Sequence, residues 1–212
     1  MILTILGAPG AGKGTMAKEI SQVLKIPTIS TGALLRNEIA SGSEKGKMID
    51  SLISDGNFVP DGVIVGILLD RLKDDDCKNG YILDGFPRNI EQASHLEDYG
   101  IKLDTALLLT VSEKDIIERL TGRRECPKCR TTYHIVSNPP KKDGVCNECG
   151  TTLTKRDDDT ESVIRKRLSI YKKETEPLVE FFRERGILKE VEGKKTVAET
   201  KETVFTALGV NV

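Results

Sequence analysis

Nine residues near the N-terminus, Gly7-Ala8-Pro9-Gly10-Ala11-Gly12-Lys13-Gly14-Thr15, constrain this chain more than any other stretch. The run Met1-Ile2-Leu3-Thr4-Ile5-Leu6 leads straight into them, and Met16, Ile20, Val23 and Leu24 recur at helical spacing afterwards. A short Ile/Leu-rich run bounded by glycine is predicted as a strand buried on both faces of a parallel sheet. The segment therefore reads as strand, glycine-rich loop and helix, in that order. The pattern G-x-x-x-x-G-K at such a junction lets consecutive backbone N–H groups face one anion, and the helix start adds partial positive charge. Lys13 is expected to reach the β- and γ-phosphate oxygens of a nucleotide. The competing reading is a glycine-rich turn that binds nothing. The lysine, with a strand before it and a helix after it, weighs against that.

The rest of the chain keeps the same rhythm. A second short strand is predicted near Ile29, followed by a helix from Thr31 with Leu34, Leu35 and Ile39 on one face. Amphipathic helices follow at Lys47–Ser54 and Asp61–Lys73, then a strand at Gly80–Asp84, a helix over 90–98 and a strand at Asp104–Val111. Ser112 suits the N-cap of a helix over 113–122. A long helix over 160–184, a strand at Ile187–Val191 and a helix at Val197–Leu208 complete the series. Strands alternating with helices predict an α/β fold with a five-stranded, doubly wound parallel sheet. Residues 123–159 break this pattern. They hold four paired cysteines and three prolines with little helical periodicity, and are expected to form an inserted subdomain pinned by metal.

Composition narrows the function. Lys plus Arg total 32 and Asp plus Glu 33, a net charge of −1, which argues against a chain held to nucleic acid by bulk charge. A local basic cleft for a small polyanion stays open. No apolar run reaches the roughly 18 residues a membrane span needs, and the N-terminus lacks a basic leader, so a cytoplasmic protein is expected. Only two histidines are present, which makes a histidine-centred triad a poor candidate, and His95 is given no role.

Cys126-x-x-Cys129 and Cys146-x-x-Cys149 are separated by 16 residues. That spacing fits a structural zinc site in which four thiolates fill a tetrahedron and leave no place for water. An iron site of the same geometry and a pair of disulfides are the alternatives, the latter disfavoured in a reducing compartment. Cys77, in Asp74-Asp75-Asp76-Cys77-Lys78, stands apart as a spare surface or helix-end thiol.

One detail of the loop is distinctive: Gly14 follows the lysine, and the hydroxyl residue Thr15 comes one place later. This variant is found in nucleoside monophosphate kinases. Asp84-Gly85-Phe86-Pro87-Arg88 resembles the D-G-[FY]-P-R signature of adenylate kinases, with Gln92 at the family spacing. Ser30-Thr31-Gly32-Ala33-Leu34-Leu35-Arg36 is similar to the family's S-T-G-D-x-x-R. Gly122-Arg123-Arg124, Arg156-x-Asp158-Asp159 and Arg167-Leu168 follow in family order over nearly the whole chain. The sequence thus resembles bacterial long-form adenylate kinases with a zinc-bearing lid.

The resemblance implies a core of residues 1–29, 60–122 and 160–212, an AMP-binding segment at 30–59 and a lid at 123–159. It implies Mg²⁺-dependent phosphoryl transfer between ATP and AMP, with Zn²⁺ structural; the sequence shows no obvious interface signature, and a monomer is expected. Catalysis would fall to Lys13, Asp84, Arg88, Arg123, Arg156 and Arg167. ATP would meet Gly10, Ala11, Gly12, Lys13, Gly14, Thr15, Arg119, Arg123, Thr132, Tyr133 and Lys195. AMP would meet Thr31, Arg36, Asn57, Phe58, Val59, Gly85, Phe86, Pro87, Arg88, Gln92, Arg156 and Arg167. The cations suit the task because a guanidinium fork binds phosphate oxygens in pairs. Thr31, where related uridylate and cytidylate kinases tend to carry Ala, and the Gln92 amide both point to adenine. Ala33 departs from the family's Asp, and altered kinetics rather than lost activity are expected from it. The alternatives are a kinase for another monophosphate, or a zinc-ribbon P-loop protein that binds nucleotide without transfer.

Overall fold

In a computed structural model of the chain, residues 1–210 are described, apart from Gly56, Phe58 and Lys195. The glycine-rich loop joins β1 (Ile2–Leu6) to α1 (Lys13–Leu24), as the pattern predicts. Then come β2 (Thr28–Ser30), α2 (Thr31–Ala40), α3 (Glu44–Ser54) and α4 (Asp61–Leu72). A 3₁₀ turn at Asp75–Cys77 precedes β3 (Tyr81–Asp84), α5 (Ile90–Asp98), β4 (Thr105–Thr110) and α6 (Glu113–Thr121). The inserted segment supplies β5 (Arg123–Glu125) and β6 (Thr132–His134). The chain closes through α7 (Glu161–Ile170), α8 (Leu178–Glu184), β7 (Leu188–Glu192) and α9 (Val197–Leu208).

Five strands pair in parallel in the order β2-β3-β1-β4-β7. Central β1 sets Ile2 beside Tyr81 of β3 and Leu3 beside Thr105 of β4. Strand alternation then sorts the side chains onto two faces. Leu3 and Ile5 of β1, Ile82 of β3 and Leu107 and Leu109 of β4 pack with Met16, Ala17 and Ile20 of α1 and Val204 and Phe205 of α9. Leu6, Leu83, Ala106 and Leu108 face the other way, against α2 to α5 and α8. Both faces are covered, which is why these strands read as continuous apolar runs. Edge strand β7 instead exposes Lys189, Glu190 and Glu192 and buries Val191, a charged edge that discourages further pairing. No helix among the described residues is long and apolar enough to cross a membrane.

The predicted helix over 160–184 is divided. Between α7 and α8, Tyr171–Thr175 widen into a π turn, with the Glu176 N–H donating to the Tyr171 carbonyl at 2.9 Å. Pro177 has no N–H to continue the ladder, so the helix is re-registered here. Cys77 does end a helical turn, but it is 5% exposed rather than a surface thiol. Arg71 holds Asp76 at 2.6 Å and Asp74 at 3.2 Å, which turns the acidic run outward and Cys77 inward.

The inserted segment has its own small interior, formed by Cys126, Tyr133, Cys146 and Leu153. Its strands β5 and β6 are antiparallel, and Glu125 also bridges to Thr154.

Candidate active site

The cleft opens at the carboxyl ends of β1 and β3, beside the point where the chain order reverses across the sheet, the usual ligand position in such folds. It holds about 920 Å³, counting space open to solvent. Gly7 sits at φ +141°, and a Cβ there would meet the Leu109 carbonyl oxygen at 2.5 Å, so only glycine lets the loop leave the sheet this way. Gly12, at φ +99°, turns the chain into α1. Lys13 Nζ curls back to donate to the Gly7 and Ala8 carbonyls at 2.7 and 3.0 Å. Burial pushes its pKa down to about 8, with Arg88, Arg167 and Arg123 adding to the effect and Asp84 opposing it. Gly10 and Ala11 lie within the loop, and Gly14 and Thr15 are exposed in the first turn of α1. Arg119 braces the loop from α6, donating to the carbonyls of Ala11 at 3.3 Å and Lys194 at 3.0 Å.

The segment after β3 forms the opposite wall. Thr4 Oγ1 donates to the Phe86 carbonyl at 2.8 Å, and Thr31 Oγ1 to the Gly85 carbonyl at 2.9 Å. Phe86 and Pro87 are buried. Arg88 Nε donates to the Gly85 carbonyl at 2.7 Å, and burial lowers the guanidinium below its usual range. Gln92 is 1% exposed with both ends of its amide engaged: Oε1 accepts from Arg88 N at 2.7 Å and Nε2 donates to Asp61 Oδ1 at 2.5 Å. Asn57 and Val59 line the cleft, with Val59 also in the core. Phe58 and Lys195, both expected at the site, lie outside the described residues. Ala33 is half-buried in the first turn of α2.

Arginines and carboxylates fill the space between. Asp159, fully buried, receives a fork from Arg123, with Nε at 2.7 Å and NH2 at 2.5 Å. Asp158 receives a fork from Arg156 at 2.9 and 2.8 Å and a further bond from Arg167 NH1 at 2.8 Å. Burial alone would raise the Asp158 carboxyl, but Arg156 and Arg167 hold it below its ordinary value. Burial also pushes Arg167 down to about 10. Arg36 reaches in from α2 and is likewise pushed to about 10 by burial and by Arg156. Its Nε is buried with no hydrogen-bond partner and lies 3.9 Å from Glu125 Oε1. An unsatisfied buried guanidinium N–H is costly, and a phosphate oxygen would satisfy it.

Asp84, at the end of β3, is half-buried, and no hydrogen bond or ion pair engages its carboxylate among the described residues. Its Oδ2 would be 3.4 Å from a Cβ placed on Gly14, so it faces the phosphate loop. An acceptor there suits Mg²⁺, which keeps its waters and takes few direct protein ligands.

In the inserted segment, the four Sγ atoms of Cys126, Cys129, Cys146 and Cys149 lie within 4.8 Å of one another, with contacts of 3.4 to 3.5 Å. Those contacts are far beyond a disulfide's roughly 2.05 Å and approach the roughly 3.8 Å edge of a tetrahedron with metal–sulfur distances of about 2.3 Å. The residues fit a four-thiolate metal. Tyr133 packs inside this lobe, its hydroxyl 3.4 Å from Cys146 Sγ and accepting from Asn147 N at 2.8 Å. Thr132 is exposed beside it, His134 Nδ1 accepts from Val136 N and Ser137 N, and His95 is exposed on α5.

The structure thus brings Lys13, Arg36, Arg88, Arg156 and Arg167 to one cleft, with Arg123 close enough to depress Lys13. Sequence reasoning missed several residues. Asp61, which orients Gln92 and Asn89, reads in sequence only as a helix start. Tyr171 and Thr175 line the cleft from the π turn, and Thr175 Oγ1 donates to the Arg88 carbonyl at 2.7 Å. Glu125 carries no sequence signal at all. Asp158 and Asp159 were noted in sequence only as part of the family-like motif Arg156-x-Asp158-Asp159, with no role given to either.

A glycine-rich phosphate loop at the end of a central parallel strand, faced by a buried cluster of cations, defines a P-loop nucleotide-binding protein. Residues 5–187 match the family model described as adenylate kinase. A protein named adenylate kinase from Clostridium beijerinckii is 46% identical, covering 100% of both chains. Another of that name, from Caldicellulosiruptor saccharolyticus, is 45% identical over 99% of this chain and 100% of its own. A third, from Moorella thermoacetica, is 45% identical over 99% of this chain and 98% of its own. This chain belongs to the adenylate kinase family.

Proposed function

We propose that the protein transfers the γ-phosphoryl group of ATP to AMP, reversibly, yielding two ADP. The observation that carries this reading is the convergence of Lys13, Arg36, Arg88, Arg156 and Arg167 on one cleft, in a chain of net charge −1. Two polyanions must be held end to end, and positioning with charge stabilisation dominates such a reaction. The loop over 7–15, with Lys13, would hold the donor phosphates, and Arg119 would keep that loop in shape. Arg36, Arg88 and Arg156 would hold the acceptor phosphate. Arg123 and Arg167, oriented by Asp159 and Asp158, would surround the group in flight. One AMP phosphate oxygen attacks the γ-phosphorus while the bond to the β-bridging oxygen breaks, and ADP departs with those electrons. No protein side chain is phosphorylated.

Mg²⁺, held through water by Asp84, would neutralise charge on the phosphates. Zinc, an ion suited to four thiolates, would fix the lid fold. Residues 30–59 and 123–159 would move over the core at 1–29, 60–122 and 160–212, and closure would exclude water that otherwise accepts the phosphoryl group. Thr132, Tyr133 and Lys195 would border the ATP base side. Thr31, Asn57, Phe58, Val59 and the segment 85–88 fixed by Gln92 would border AMP. We assign the protein to the cytoplasm as a monomer without a nucleic-acid partner.

The test is phosphoryl transfer from Mg-ATP to AMP, UMP, CMP or GMP, with products separated by chromatography. ADP formation that requires AMP is expected. Preferential transfer to UMP or CMP, or hydrolysis that ignores the monophosphate, would overturn the reading.

A further inference from the structure

Of the three carboxylates ion-paired to arginines at the cleft among the described residues, Asp158 and Asp159 are tied by forked bonds of 2.5 to 2.9 Å. Glu125 is not. It is 6% exposed, and its backbone is fixed in β5 by bonds to Thr154 in both directions. Its carboxylate stands 3.4 Å from Arg130 NH1, 3.6 Å from Arg156 NH1 and 3.9 Å from Arg36 Nε. These distances exceed the roughly 2.7–2.9 Å of strong charge-assisted bonds. One buried acid is therefore shared loosely among three guanidiniums from three parts of the chain, and two of those guanidiniums line the cleft. Arg36 Nε, the atom nearest to it on α2, still has no hydrogen bond.

We propose that Glu125 is an internal substitute for the acceptor's phosphate. It balances Arg36 and Arg156 until the monophosphate arrives, and it sets the affinity for that substrate by competing with it. This rests on the reading of Arg36 and Arg156 as acceptor-phosphate ligands. The reasoning is electrostatic. A phosphate entering between Arg36 and Arg156 brings negative charge against a carboxylate that cannot leave with its strand, so the two anions divide the same cations. Glu125 forms no ion pair with Lys13, Arg123 or Arg167 among the described residues, so the donor side should not feel it directly. Glu125 is accordingly a positioning residue with an effect confined to one substrate.

The experiment compares the full-length, zinc-loaded protein with Glu125→Gln, which keeps the shape and removes the charge. Titration calorimetry with AMP alone, and separately with a non-hydrolysable ATP analogue, reads each side. The Kd for AMP should fall about tenfold, the scale of one unit charge removed from beside a phosphate. KM for AMP should follow it, and the Kd for the ATP analogue should change less than about twofold. A merely structural role would weaken both. Unchanged or weaker AMP binding by the variant, with AMP binding normally to the wild type, would overturn this proposal alone. A wild type that does not bind AMP would overturn the acceptor-site reading and this proposal with it. A second reading needs no substitution to fold: the side-chain carboxylate ¹³C signal of Glu125 in the wild type should move when AMP is added. A signal that stays in place at saturating AMP would also overturn the proposal.

Discussion

Replacing Asp159 by asparagine removes one charge from the most buried ion pair in the cleft. The carboxylate is fully buried, its Arg123 partner is 16% exposed, and the two bonds between them measure 2.5 and 2.7 Å. Asparagine keeps the shape but turns an NH₂ toward the guanidinium fork, so a donor faces a donor and Arg123 loses its counter-charge. Breaking a buried pair from one side costs about 3–5 kcal/mol. For a chain of 212 residues, each kcal/mol moves Tm by about 2–4 °C, so Tm should fall by about 6–20 °C. Differential scanning calorimetry reads this directly. If Arg123 is a phosphate ligand, as proposed, a saturating non-hydrolysable ATP analogue would supply it with a new anion, and the gap between variant and wild type should narrow when it is present. A fall below about 2 °C would refute the pair as a structural anchor. A gap unchanged by the analogue would refute Arg123 as a phosphate ligand.

Other expectations follow from the same geometry. Lys13, pushed down to about 8, is a cation below that pH and neutral above it, so kcat/KM for Mg-ATP should decline as pH rises through 8. In Lys13→Arg that alkaline limb should vanish from the pH profile, although overall activity is lower. Elemental analysis should find zinc bound in proportion to the chain. Removing it with a chelator should lower the melting transition and cut transfer by about tenfold or more, because Arg123 and Arg156 sit at the two ends of the four-cysteine lobe. Gln92→Ala should raise KM for AMP by about tenfold, the scale of one or two lost hydrogen bonds to charged or loop-defining groups, while KM for ATP stays unchanged. An equal rise in both constants would contradict the place given to Gln92 on the acceptor wall.

Features fixed by local chemistry were the ones legible in sequence. The loop over 7–15 is a contiguous stretch whose glycines, lysine and flanking periodicity all specify one conformation, and it folds as read. The two Cys-x-x-Cys pairs are likewise local turns, and their sulfurs meet. The arginines were picked out by resemblance to family motifs, but Glu125, which several of them meet, was not. Arg36, Arg130 and Arg156 meet Glu125 through tertiary placement that no periodicity encodes. The helix over 160–184 reads as continuous from its composition, but the π turn at Tyr171–Thr175 adds one residue to a turn and Pro177 follows it, so the helix changes register there. Cys77 reads in sequence as a surface or helix-end thiol; it does end a helical turn, but Arg71 holds Asp74 and Asp76 outward and leaves Cys77 buried.

The most direct test of the proposed reaction begins from one nucleotide. Phosphorus NMR of the purified protein with Mg²⁺ and ADP alone should show ATP and AMP appearing in equal amounts until the three species reach equilibrium. Arg88→Ala should suppress both products together. Release of inorganic phosphate without AMP, or ADP that persists unchanged, would contradict reversible transfer between two bound nucleotides.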